Sequence, residues 1–206
     1  MVRRIYVEKK PGLRQEAAGL LNELRSFLGI TALTGLRVLN RYDVEGLDEE
    51  TFRRAVQTVF SEPQVDDATA ALPSEDDIAF AVEYLPGQFD QRADSAAQCV
   101  QLLTQGERPA VATAKVIGLK GQVSAEEFEK VKHYLINPVE SREASMEKPA
   151  TLEMQADVPA DVARVTGFTT WDKAQMQAYF DSMGFAMTLS DLEFCRDYFR
   201  DEEHRD

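Results

Sequence analysis

Val7-Glu8-Lys9-Lys10-Pro11-Gly12 returns later in the chain as Val82-Glu83-Tyr84-Leu85-Pro86-Gly87, 75 positions on. Working outward from that pair, Gly46 returns at Gly121 and Pro63 at Pro138, each again 75 positions on. Phe52 answers Phe128 once a single residue is inserted. Three separate matches at one offset read as an internal duplication, and a duplication constrains a fold more than any local pattern does.

Each copy carries the same order of elements. In the first, residues 4–9 predict a strand closed by Pro11-Gly12. Leu13, Ala17, Leu20, Leu21, Leu24, Phe27 and Leu28 then fall on one helical face, and Gly29 supplies the left-handed residue that ends a helix. Residues 35–42 predict a second strand, with Leu36, Val38 and Asn40 on one side and Arg37, Leu39 and Arg41 on the other. Asp48 caps a second helix, and Glu49 and Glu50 suit its positive first turn. Phe52, Val56, Val59 and Phe60 line its buried face, Pro63 stops it, and residues 64–72 form a weak third strand.

The second copy repeats this order. Residues 78–85 predict a strand. Residues 90–104 predict a helix with Ala93, Ala96, Ala97, Val100 and Leu103 inward. Residues 110–119 form a long Val-, Ala-, Thr- and Ile-rich strand. Ser124-Ala125-Glu126-Glu127 is a capping box that opens a helix carrying Phe128, Val131, Leu135 and Ile136. Pro138 ends that helix, and residues 139–146 predict the last short strand. The predicted fold class is therefore α+β: duplicated β-α-β-α-β units of ferredoxin-like character with the helices packed on one face of the sheet. Copy one is residues 1–72, copy two residues 76–147, and together they make a domain of residues 1–147. A three-stranded sheet is marginal by itself, so the copies are expected to bury open faces or edges against each other.

Beyond this the texture changes. Residues 148–206 read as a linker region with a small helical domain. One helix, residues 172–183, follows Trp171 and carries Met176, Tyr179, Phe180 and Met183. Gly184 ends it, and Phe185 is placed to close the cap. A second helix is predicted to open at a capping box Ser190-Asp191-Leu192-Glu193 and to carry Leu192, Cys195, Tyr198 and Phe199. These stripes are too large for two short helices to satisfy each other.

Composition sets the outer limits. Of 206 residues, 44% are hydrophobic, enough for a core, and the formal net charge is −13. An acidic chain is repelled by nucleic-acid phosphates and by anionic membrane surfaces, so neither is an expected partner. No apolar run approaches the roughly 20 residues that span a bilayer. Cys99 and Cys195 have no partner motif, which points to a reducing compartment and a cytoplasmic location.

The chemistry-bearing residue types do not converge. His133 and His204 each lack a second ligand at metal spacing. Cys99 and Cys195 read as small buried apolar residues, with no base near in sequence. Asp66-Asp67, Asp76-Asp77, Glu126-Glu127 and Glu202-Glu203 read as solvated or capping pairs. Gly118-Leu119-Lys120-Gly121 lacks phosphate-loop spacing and reads as a strand-to-helix turn. The sequence assigns no catalytic, cofactor-binding or metal residue.

A β-α-β-α-β unit whose last helix runs into Leu135-Ile136-Asn137-Pro138-Val139 resembles the small accessory (PurS-type) subunit of multi-subunit phosphoribosylformylglycinamidine synthases. Phe60-Ser61-Glu62-Pro63 is the looser counterpart in copy one. Residues 132–143, residues 184–199 and the ending Arg205-Asp206 are similar to the front of the large single-chain enzymes of that family. The resemblance implies a PurS-like domain followed by a linker domain, as the non-catalytic scaffold of a ligase. The parent enzyme makes the amidine from formylglycinamide ribonucleotide, glutamine and ATP in purine biosynthesis. ATP and magnesium are implied for the parent, not for this chain. The implied partners are the parent's own synthetase and glutaminase modules, with self-association of the fragment as a further expectation. Two rival readings stand beside it. A stand-alone ferredoxin-like effector-binding module predicts a pocket where the copies meet. A small hydrolase needs an anion-binding loop that the sequence lacks.

Overall fold

Val2, Arg4, Tyr6 and Glu8 alternate along strand β1 (Val2–Lys9) with Ile5 and Val7, and all six are buried. A strand buried on both faces must be covered twice. The computed structural model, which describes residues 1–73, 78–153 and 159–205, shows how.

The strands are β1, β2 (Leu33–Glu45), β3 (Asp66–Thr69), β4 (Ile78–Tyr84), β5 (Ala110–Gly121) and β6 (Ser141–Ala144). They form one six-stranded antiparallel sheet in the order β3-β1-β2-β5-β4-β6. One row of paired residues crosses all of it: Ala68, Val7, Asn40, Lys115, Val82, Glu143. Lys115, Val82 and Glu143 stand 75 positions after Asn40, Val7 and Ala68. The two central strands, β2 and β5, pair over nearly their full lengths, Leu33 opposite Gly121 and Glu45 opposite Ala110.

Four helices cover one face: α1 (Gln15–Phe27), α2 (Glu49–Ala55), α3 (Gln91–Thr104) and α4 (Ala125–Leu135). A wider π-type turn, Val56–Phe60, extends α2. It brings Phe60 within 5.1 Å of Tyr42 and 6.0 Å of Phe52, ring centre to ring centre. The core under the helices is in two parts. Ile5, Val7, Tyr42 and Val44 pack with α2, its π turn and α3. Leu36, Phe80, Ile117 and Leu119 pack with α1 and α4. A third cluster, with Tyr6, Leu39, Ala81, Ala114, Val116 and Ala144, lies on the opposite face without any helix. Leu72 and Met146 pack against it, and the chain after β6 crosses that face. Arg41 donates to the Ser145 carbonyl at 2.7 Å and Arg4 to those of Met146 and Glu147 at 2.7 and 3.1 Å. Glu45 then receives the Thr151 hydroxyl and the Leu152 N–H at 2.9 and 2.8 Å. The segment read as a linker therefore starts out tied to the sheet.

Several local expectations change. Gly118–Gly121 is the end of strand β5 and not a turn, because β2 begins earlier than expected and pairs with it. Gly121 is obligatory there: its φ is +127°, and a Cβ would lie 2.2 Å from the Ala32 carbonyl oxygen. The outer strands β3 and β6 are shorter than the expected 64–72 and 139–146, since tight turns claim their leading residues. Val65 and Asp66 donate to the Glu62 carbonyl, and Glu140 and Ser141 to that of Asn137.

The chain divides into two compact units, Met1–Met154 and Gln155–Asp206. The second holds α5 (Lys173–Met183) and α6 (Leu189–Tyr198). Phe168, Trp171, Tyr179 and Phe185 form a chain of edge-to-face rings spaced 5.2–5.6 Å apart. Helix α6 is capped by Thr188 with Asp191, two residues ahead of the expected box. Thr188 receives the Asp191 N–H, and the Asp191 carboxylate returns the bond to the Thr188 N–H at 2.8 Å.

Candidate functional site

Between the core halves the helices leave the middle of the sheet open. The result is a groove of about 750 Å³. Its floor is formed by Asn40 and Tyr42 of β2 and by Thr113 and Lys115 of β5. These are two neighbouring cross-strand pairs, Asn40 opposite Lys115 and Tyr42 opposite Thr113. Helices α1 and α4 supply one wall, through Glu16, Leu20 and Leu135. Helix α3 and the π turn supply the other, through Gln91, Arg92, Ser95, Cys99 and Val59.

Ion pairs and hydrogen bonds fix part of this lining. Lys115 Nζ lies 2.6 Å from Glu16, and both side chains are exposed. Asp90 holds the α3 N-terminus through the Ala93 N–H at 2.9 Å and receives the Thr113 hydroxyl at 2.7 Å. Arg92 donates to the Tyr42 hydroxyl at 3.3 Å. Among the described residues no carboxylate pairs with Arg92.

The other concentration of polar groups lies on the helix-free face. Asp43 takes a two-pronged bond from Arg4, at 2.6 and 2.8 Å, and Arg41 Nε stands 3.4 Å away. Glu8 likewise receives Arg37 at 3.1 and 2.5 Å, and Arg14 at 3.0 Å. Burial pulls the Arg41 guanidinium below its ordinary value, and the neighbouring Arg4 charge adds to this. Burial acts on Arg4 in the same direction, but its bond to and attraction by Asp43 leave it raised. The two arginines thus share one carboxylate, and Arg4 holds the better geometry.

The residues considered from sequence do not assemble a reaction centre. His133 and His204 are exposed. Cys99, expected to be buried, is exposed, and Cys195 is half-buried. The reason for Cys99 is its position: Val100 takes the core side of α3 and Cys99 looks into the groove. Asp66 pairs with Lys9 at 2.8 Å. Glu127 closes the α4 capping box, and its carboxyl is held below the usual range by the Ser124 N–H. Asp76-Asp77 lies outside the described residues. Among the described residues no three His, Cys, Asp or Glu side chains gather as a metal site, and no helix is long and apolar enough to cross a membrane. The rival effector-binding reading expects a pocket where the copies meet, and the groove lies over the β2–β5 pairs; its lining residues and the buried charges were not read from the sequence. The available signal was the polar run Asn40, Tyr42, Thr113, Lys115 on strand faces that are otherwise apolar.

No protein-family model matches this chain, and no curated protein is significantly similar to it.

Proposed function

We propose that this chain is the non-catalytic front portion of a large single-chain phosphoribosylformylglycinamidine synthase. In this reading it is a duplicated, ferredoxin-like PurS-type domain followed by a linker domain. It holds the synthetase and glutaminase modules of its parent in register. Nucleotide, magnesium and glutamine chemistry belong to those modules.

The observation that carries the reading is the row of paired residues across the sheet. A duplication requires each half to repeat the other's register, and Ala68, Val7, Asn40 answer Glu143, Val82, Lys115 at the same 75-residue offset as the sequence repeat. The strand orders agree as well, β3-β1-β2 against β6-β4-β5. So do the core positions: Ile5, Tyr42 and Val44 in one cluster answer Phe80, Ile117 and Leu119 in the other. An edge-to-edge pair of ferredoxin-like units in which, among the described residues, no nucleophile and base come together suits a scaffold better than an enzyme.

The test is reconstitution. The chain is mixed with a separately produced synthetase–glutaminase portion of such an enzyme. A stable complex with restored glutamine-dependent amidine formation is the expected result. Failure to associate, or glutaminase or ATPase turnover by the chain alone, overturns the reading.

A further inference from the structure

We propose that the groove over the Asn40–Lys115 pair is a binding site for a small zwitterion, a free amino acid with an apolar or amide side chain. The inference goes beyond the scaffold reading and stands without it.

On the helix-facing side of β2 and β5 the neighbouring cross-strand pairs are apolar: Leu36 with Leu119, Val38 with Ile117, Val44 with Val111. Asn40 with Lys115 and Tyr42 with Thr113 interrupt that pattern at the centre of the sheet. Polar groups placed in a core without partners are costly. Here the helices part above them and leave a groove of about 750 Å³, which Asn40, Thr113 and Lys115 face while the Tyr42 ring stays packed in the core. The volume is in the range of small-molecule sites, which combine apolar walls with a few polar groups.

The charges select the ligand. Arg92 reaches into the groove, where among the described residues its one side-chain partner is the Tyr42 hydroxyl at 3.3 Å. A guanidinium fork next to a phenol hydroxyl is a donor set for a carboxylate. On the facing wall Glu16, bonded among the described residues to the exposed Lys115 alone, supplies the acceptor for an ammonium group. Glu83 is occupied by Arg142 at 2.8 Å and lies 4.0 Å from Arg41, so Glu16 and Glu140 are the lining carboxylates that stand against Arg92 and Lys115. That balance disfavours phosphorylated ligands, which carry two or more negative charges, and accommodates a net-neutral one. Leu20, Val59 and Ile117 offer the apolar contact for a side chain.

The experiment uses the intact chain. Thermal shift and calorimetry are run with the common L-amino acids at millimolar concentration, and alkylation of Cys99 is followed by peptide mapping. At least one amino acid is expected to bind and to slow alkylation of Cys99, which lines the groove. Arg92→Ala and Glu16→Gln are each expected to weaken that binding by about tenfold, the effect of one charge-assisted hydrogen bond. Both side chains are exposed, so the variants should keep the parent melting transition, and Lys115→Met serves as a third variant. Absence of binding by every amino acid overturns the proposal. So does binding that neither variant weakens, or that inorganic sulfate matches.

Discussion

Asn40 stands directly opposite Lys115 where β2 meets β5, and the two are also 75 positions apart, the offset that separates Val7 from Val82. In the proposed duplication β2 and β5 are repeated strands; only one residue of such an antiparallel pair can face its own counterpart, and that pair would mark a local twofold axis through the centre of the groove floor.

A first prediction rests on this register. Residues 1–73 alone would leave the 13-residue strand β2 as an open edge, a template for pairing with another copy. The fragment is expected to dimerise through β2 with Asn40 facing Asn40. Asn40→Cys would then be its single cysteine, and it should cross-link on oxidation, whereas Thr34→Cys should not. A folded, monomeric fragment by light scattering would refute both the pairing and the axis.

A second prediction concerns the helix-free face. Asp43 is 4% exposed and is the carboxylate that Arg4 and Arg41 share. Removing one member of a buried ion group leaves charge uncompensated, at a cost of about 3–5 kcal/mol. Asp43→Ala should therefore lower the stability of the first unit by that amount in urea unfolding. A loss under about 1 kcal/mol would mean that water reaches this face and solvates the arginines.

A third concerns the strand end at Gly121. Alanine there must adopt φ +127° with its Cβ 2.2 Å from the Ala32 oxygen. Gly121→Ala should destabilise by more than about 1 kcal/mol, since the new residue fits neither the backbone angle nor the space. Gly12→Ala, where nothing lies within 4 Å, separates the two causes, because it meets the angle without the clash. Equal melting temperatures for the two variants would show that the Ala32 contact is without consequence.

A fourth follows from Glu45. The Leu152 N–H, and after it the Thr151 hydroxyl, hold this carboxyl below the usual carboxylate range. A depressed folded value means that the contribution is present above the unfolded pKa and lost as pH falls through the folded one. Protection of the Leu152 amide, corrected for intrinsic exchange, should thus be full at neutral pH and persist until the pH has fallen below the ordinary carboxylate range. Glu45→Ala should abolish it at all pH values. Protection that persists unchanged to low pH would assign the docking of this segment to its other contacts.

The sequence made much of this fold legible because the information was local or periodic. The Asp48 and Ser124 caps announced two of the helices over the sheet, and each forms as expected. Strand faces were legible where one side is apolar, as at Leu36 and Val38, which pack under the helices. What stayed hidden depended on contacts distant in sequence. Arg4 and Asp43 look like residues of a solvated face until the chain at Met146 and Glu147 is laid across them. The lining of the groove stayed hidden for a similar reason: a pocket where the copies meet was one expectation, but Asn40 and Lys115, polar residues on apolar strand faces, are brought together only when β2 and β5 are adjacent. Cys99 shows the limit of periodicity on a single helix, since the stripe gives the core direction but not what stands beside it.

The last prediction concerns the second unit. Its helices α5 and α6 have 11 and 10 residues, lengths at which an isolated helix is marginal in water. Their fully covered apolar side chains, among the described residues, are Met176 and Leu192. Trp171, Phe180, Phe185 and Phe199 are half-buried, while Phe194 is 72% and Tyr198 39% exposed. Burying a large apolar side chain completely contributes roughly 1.5–3 kcal/mol, and here that contribution is mostly unrealised. An exposed apolar surface of this kind marks a place where something else packs. Amide exchange over residues 173–198 should therefore be much faster than over β1 and β5. Adding the synthetase module should slow it, and Phe194→Ser should weaken that slowing while leaving the isolated chain as stable as before. Protection over α5 and α6 equal to that of β1 and β5, in a chain shown to be monomeric, would sink the idea. It would mean that the two buried residues and the edge-to-face rings suffice.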